Sequence, residues 1–197
     1  RCDTPYSWGK GENFSEQHLV RLANKSQLDW VCITGGEPLL QNIGTLVSML
    51  KQQGHRVAIE TNGTQTLDEH TFQNIDMFTI SPKMSNSKME KTLDIELLTS
   101  LLSHIHPQLK FVCGNEEDAW EALQFCEQLE KRSDTHMKAV PIIFQPEGLQ
   151  SYSTERYLDQ LRTLWRYVQF LKLRFIGWDL RVLPQLHRLL FGQRRGV

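Results

Sequence analysis

The sequence predicts an α/β protein, a parallel sheet covered by helices and left open as a partial, incomplete β/α barrel. Three observations carry this expectation. Short apolar runs alternate with segments of helical periodicity along the whole chain, the pattern of βαβ units joined by right-handed crossovers. The apolar runs number about five or six, short of the eight that close a barrel. No Pro/Gly/Ser-rich linker and no internal repeat interrupts the alternation, so residues 1–197 read as one domain.

The elements follow in order. Ser15 stands where it caps a helix bearing Leu19, Leu22 and Ala23 on one face. Trp30 to Thr34 is a strand stopped by Gly35-Gly36. Ile43, Leu46, Val47 and Leu50 at helical spacing predict a helix over 42–53, ended by Gly54. Arg56 to Glu60 is a strand closed by the turn pair Asn62-Gly63. A short helix over 68–74 precedes the strand Met77 to Ile80, which breaks at Ser81-Pro82. Met84 to Lys91 is polar and aperiodic and predicts a mobile loop. A helix over 93–103 and a strand over 109–112 come next. Asn115 caps an acid-started helix that turns Ala119, Leu123, Cys126 and Leu129 inward. Ala139 to Phe144 reads as a strand ended by Gln145-Pro146. The longest helix carries Tyr157, Leu161, Leu164, Val168 and Leu171 on one face. Leu173 to Val182 reads as extended, and Leu186 to Leu190 as a helical turn.

Composition narrows the function. A chain of 197 residues, 40% hydrophobic and 23% charged, is globular and large enough to bury a core without disulfides. A net charge of -1 argues against direct nucleic-acid or anionic-membrane binding. The longest apolar stretch, Ala139 to Phe144, is far short of the ~18 residues of a membrane span. The cysteines Cys2, Cys32, Cys113 and Cys126 form no CxxC pair. Cys32, Cys113 and Cys126 read as reduced thiols packed on apolar faces of a cytoplasmic protein. Arg1 to Pro5 has no apolar core of a signal peptide and no starting Met, so the chain reads as a piece whose beginning is missing or was removed.

Ligands of such folds sit at the C-terminal ends of the strands. The residues there are Thr34-Gly35-Gly36-Glu37-Pro38, Glu60-Thr61-Asn62-Gly63, Ser81-Pro82-Lys83, Cys113-Gly114-Asn115 and Gln145-Pro146-Glu147-Gly148. Two adjacent glycines let backbone approach a ligand closely. Glu37 is an acceptor suited to an ammonium group, and Pro38 stiffens the entry to the next helix. Each cluster alone also reads as ordinary turn chemistry.

Gly35-Gly36-Glu37-Pro38 after an early strand resembles the GGEP motif of radical S-adenosylmethionine enzymes. Cys2-Asp3-Thr4-Pro5-Tyr6-Ser7-Trp8 resembles the end of that family's cluster loop, where three cysteines hold a 4Fe-4S cluster. Within the family, the 7-carboxy-7-deazaguanine synthases of the queuosine pathway are the closer likeness. They share the Cys-Asp-Thr run, Ser81-Pro82-Lys83, Gln145-Pro146 and the ending Leu183-Pro184-Gln185-Leu186-His187 with Gly196-Val197.

The resemblance implies a radical SAM partial barrel that converts 6-carboxy-5,6,7,8-tetrahydropterin to 7-carboxy-7-deazaguanine with loss of ammonia. It implies a 4Fe-4S cluster with Cys2 as one ligand, S-adenosylmethionine, and a Mg²⁺ ion held by Thr4. The other two cluster cysteines, with the first strand, belong N-terminal to Cys2; Cys32, Cys113 and Cys126 sit on other elements, and one thiolate holds no cluster. The cofactor residues implied are Gly35, Gly36, Glu37, Ser81, Pro82, Lys83, Gln145, Pro146, Glu147 and Gly148. Glu60 and Asn62 stand where other members touch the ribose. Thr34, His187 and the Val197 carboxylate are implied on the pterin side. The partners implied are a reductase as electron donor and a second copy in a homodimer. Two alternatives stay open at this point: a glycyl-radical activase, and a non-catalytic binding module without the cluster.

Overall fold

The structure, a computed structural model, describes residues 11–87, 93–104, 106–133, 136–148 and 153–192. Cys2, Thr4 and Val197, and the loop expectation for 88–91, lie outside the described residues. The chain divides into two compact units, one of residues up to Ser81 with Asp94–Gln108, the other of Pro82–Leu93 with Leu109 onward.

The first unit runs α1 (Glu16–Ser26), β1 (Trp30–Ile33), α2 (Gly44–Gln52), β2 (Arg56–Thr61), α3 (Glu69–Gln73), β3 (Met77–Ile80) and α4 (Ile95–Leu102). β1, β2 and β3 pair in parallel, with Val31 beside Val57 and Ile59 beside Phe78. Helices start where a side-chain oxygen takes an orphan backbone N–H. Ser15 accepts from His18, Asp68 from Thr71 and Asp94 from Leu97. Val47, Leu50, Val57, Ile59, Phe78, Ile80, Leu98 and Leu101 form the buried core.

The structure departs from three of these expectations. α1 buries Val20, and Leu22 stands half exposed, because a three-turn helix offers several overlapping apolar faces. Cys32 is exposed on β1, whose only strand neighbour among the described residues is β2. α2 begins at Gly44, since Pro38–Leu40 forms its own 3-10 turn under a Glu37 cap.

His104 is buried against Phe72 and Phe78, edge-on at 5.0 and 4.8 Å between ring centroids. Its Nδ1 accepts the His106 backbone N–H at 3.3 Å. Burial pushes its pKa below the ordinary 6.5. The unfolded chain therefore takes up a proton first as pH falls, and the contribution of neutral His104 is full above about 6.5 and lost below it. His104→Leu should flatten the fall in urea midpoint between pH 7 and 5; an unchanged slope would show that other groups set it.

The second unit contains β4 (Pro107–Cys113, whose first two residues belong to the other unit), α5 (Glu116–Arg132), β5 (Ile142–Pro146), α6 (Thr154–Leu171), β6 (Leu180–Val182) and α7 (Leu186–Phe191). β4, β5 and β6 pair in parallel, with Phe111 beside Phe144 and Phe144 beside Val182. Asn115 caps α5 by accepting from Asp118, and Ala119, Leu123, Cys126 and Leu129 face inward as expected. α6 buries Tyr157, Leu164, Val168 and Leu171.

The apolar runs of this half mislead in two places. Met137–Ala139 is a 3-10 turn, and β5 starts only at Ile142 and continues through Pro146. Proline at 141 has no N–H to give a sheet. Residues 172–177 form successive turns, Lys172 N donating to Val168 O and Phe175 N to Leu171 O, with Gly177 at φ +87°, so only 180–182 is strand. Ser85–Ser87 is a turn tied to α5, where the sequence predicts a mobile loop. Among the described residues no helix is long and apolar enough to cross a membrane.

Candidate active site

In the first unit the ends of β1 and β2 meet through Glu37. One carboxylate oxygen accepts from the Leu39 N–H at 3.1 Å and from the Thr61 hydroxyl at 2.8 Å. The other accepts from the Asn62 N–H at 2.7 Å. A carboxylate offers about four acceptor positions, so roughly one is left for a ligand. Glu37 thus staples the turn after β1 to the end of β2 while keeping capacity for one further donor. Gly35, at φ +136°, has no atom within 4 Å of where a Cβ would stand, and both Gly35 and Gly36 are exposed. That backbone is open to close approach by a ligand. Thr34 Oγ1 lies 3.4 Å from Glu60 Oε2.

Thr61, which the sequence marks only as one member of a strand-end cluster, is therefore part of the site's frame. It is buried, gives its hydroxyl to Glu37 and accepts the Gly63 N–H at 3.1 Å. Gly63, at φ +77°, leaves no room for a Cβ, which would stand 2.5 Å from Leu98 Cδ2. Gly63→Ala should cost about 3 kcal/mol from the left-handed backbone and overpacking together, read as a lowered urea midpoint. A loss under about 1 kcal/mol would contradict that packing. Ser81 is buried, and its N–H donates to Thr61 O at 2.7 Å.

In the second unit Pro82 is buried and Lys83 half-buried. The segment after them is anchored: Ser85 Oγ donates to Glu121 at 2.6 Å, and Asn86 Nδ2 to Val112 O at 2.9 Å and to Asp118 at 3.0 Å. Asp118 also accepts the Gly114 N–H at 2.6 Å. It joins the end of β4 to the stretch after Lys83, a role its place in an acidic first turn does not announce. Gln145 Nε2 lies 3.4 Å from Pro184 O, and Glu147 N donates to Cys113 O at 3.0 Å. A Cβ on Gly148 would collide with the Gln185 side chain. His187 is exposed on α7.

The described thiols do not fit a cluster. Cys113 and Cys126 are buried, and burial pushes both pKa values far up, so they stay protonated where a metal needs thiolate. Among the described residues no group of three or more His, Cys, Asp or Glu is placed to hold a metal ion.

No protein-family model matches the chain. It is 35% identical to the 7-carboxy-7-deazaguanine synthase of Bacillus subtilis (strain 168), over 100% of the chain and 84% of the relative. It is 30% identical to that of Bacillus cereus over the same shares. It is 27% identical to that of Thermoplasma acidophilum, over 100% of the chain and 83% of the relative. The solved structure of QueE from Escherichia coli matches with a TM-score of 0.57 at 22% identity, over 87% of this chain and 64% of that one. That likeness supports the partial-barrel fold. With relatives so similar along its whole length, the chain belongs to the 7-carboxy-7-deazaguanine synthase family of radical S-adenosylmethionine lyases.

Proposed function

We propose that the protein, in its complete form, converts 6-carboxy-5,6,7,8-tetrahydropterin to 7-carboxy-7-deazaguanine with release of ammonia, in the pathway to queuosine. The observation that carries this reading is the exposed Gly35-Gly36 backbone beside a Glu37 carboxylate held by three chain donors. A fixed acceptor next to open backbone suits the ammonium end of an amino acid. S-adenosylmethionine, when bound, supplies the hydrogen-abstracting radical chemistry of the reaction. The chain's own part is to bind and orient. Gly35, Gly36 and Glu37 take the methionine end; Ser81 and Lys83 serve the ribose or carboxylate; Gln145 to Gly148 stand on the adenosine side. Thr34, His187 and Val197 would serve the pterin side. Membership of the synthase family sets the activase alternative aside.

Cys2 would be one ligand of a 4Fe-4S cluster, with two cysteines N-terminal to it supplying the others. Thr4 would be a Mg²⁺ ligand, a hard oxygen donor that also brings the ion to the substrate carboxylate. Thr4→Ala should therefore lower magnesium stimulation of turnover and leave the S-adenosylmethionine Kd unchanged. Full stimulation in the mutant would remove that assignment. A cytoplasmic homodimer fed electrons by a reductase completes the proposal.

The test is genetic. The full gene is expressed in a bacterium lacking its own 7-carboxy-7-deazaguanine synthase. Queuosine in the transfer RNA, read by mass spectrometry, should return. Soluble protein without queuosine would favour the non-catalytic module instead.

A further inference from the structure

Three contacts fasten the start of α7 within the second unit. The Gln185 backbone N–H donates to the Tyr157 hydroxyl at 2.5 Å. Gln145 Nε2 reaches the Pro184 carbonyl at 3.4 Å. At Gly148 a Cβ would collide with Gln185 Oε1, so the absence of a side chain there lets Gln185 lie against the backbone after β5. Tyr157 is 1% exposed and Gln185 7%. The Arg188 guanidinium, itself buried, lies 6.0 Å from the centre of the Tyr157 ring. His187, between these two buried residues, is exposed.

The hydroxyl is the informative atom. On the inward face of α6, among Leu164, Val168 and Leu171, a phenylalanine ring would fill the same apolar space. A buried tyrosine hydroxyl needs a polar partner, and this one takes a backbone N–H 28 residues further along the chain. Cα and side-chain direction in α7 are thereby set at the residue two before His187.

We propose that Tyr157 is a positioning residue for the pterin: its hydroxyl, with Gln145 and Gly148, latches Pro184–Arg188 and so fixes where His187 meets the substrate. The inference rests on the reading that His187 contacts the pterin. Groups that orient a substrate lose their effect when displaced by about 1 Å, so a loosened latch acts through His187 on binding of the pterin.

The experiment uses the full chain with its cluster reconstituted, and compares Tyr157→Phe, His187→Asn and the double variant. Tyr157→Phe should raise the pterin KM roughly tenfold, the worth of one lost hydrogen bond, with the S-adenosylmethionine Kd within about twofold of native. Amide exchange across 186–191 should quicken while that of α5 holds. His187→Asn should raise the same KM, and the double variant should add little, because the latch acts through His187. Gly148→Ala, which pushes the Gln185 side chain from the other side, should also raise the pterin KM. Losses that simply add in the double variant, or a native pterin KM in Tyr157→Phe, would overturn the latch and leave the His187 reading standing. A native pterin KM in His187→Asn would overturn that reading, and the latch with it.

Discussion

Glu37→Ala is expected to lower S-adenosylmethionine affinity about a hundredfold and to destabilise the fold by about 2–4 kcal/mol. Both effects follow from one carboxylate. It accepts from Leu39, Thr61 and Asn62, and Thr61 is buried, so alanine leaves donors without an acceptor where water reaches them poorly. The same loss frees the turn that holds Gly35-Gly36 open, and removes the charge that would meet the ligand's ammonium. Glu37→Gln separates the two contributions. It keeps the size and the acceptor for Thr61, but turns an amide toward the Asn62 N–H and carries no charge. Its stability should fall less and its affinity still drop roughly tenfold. Calorimetric titration with S-adenosylmethionine, beside urea unfolding, reads both. Native affinity in a folded Glu37→Gln protein would mean that Glu37 is a structural staple alone.

Where the two further cluster cysteines proposed N-terminal to Cys2 are present, Cys2→Ala is expected to abolish turnover. A cluster that needs three thiolates and keeps two should be lost on anaerobic reconstitution, and iron content and charge-transfer absorption with it. Cys113 and Cys126 cannot compensate, being buried, protonated thiols. Iron content equal to the unmutated protein would move the cluster elsewhere in the chain.

The strands, the helix caps and the order of the elements were legible because each rests on local chemistry. Ser15, Asn115 and Gly54 act within four residues of themselves, and β2 and β3 are apolar runs between clear turn signals. Where the reading slipped, apolar character had two meanings. Leu173 and Ile176 are exposed in turns, yet in sequence they look like strand residues. Val140 is buried outside any strand. Cys32 looks like a core residue until the pairing of β1 is known.

The candidate site was legible as positions more than as contacts. Gly35, Gly36 and Glu37 are found at a strand end with exposed glycine backbone, as their order implies. That Glu37 spends three acceptor positions on its own chain was not legible, since its partners Thr61 and Asn62 lie 24 and 25 residues away. Asp118 and Tyr157 were hidden for a related reason. Spacing marks one as an acid in a first turn and the other as a core residue, and only the fold shows what their oxygens hold.

The most direct measurement is turnover by the purified full-length protein. Under anaerobic conditions with a reconstituted cluster, S-adenosylmethionine, Mg²⁺, a reductant and 6-carboxy-5,6,7,8-tetrahydropterin, mass spectrometry should find 7-carboxy-7-deazaguanine, with ammonia released in equal amount. A protein that holds its cluster and binds S-adenosylmethionine, yet leaves the pterin unchanged, would contradict the account.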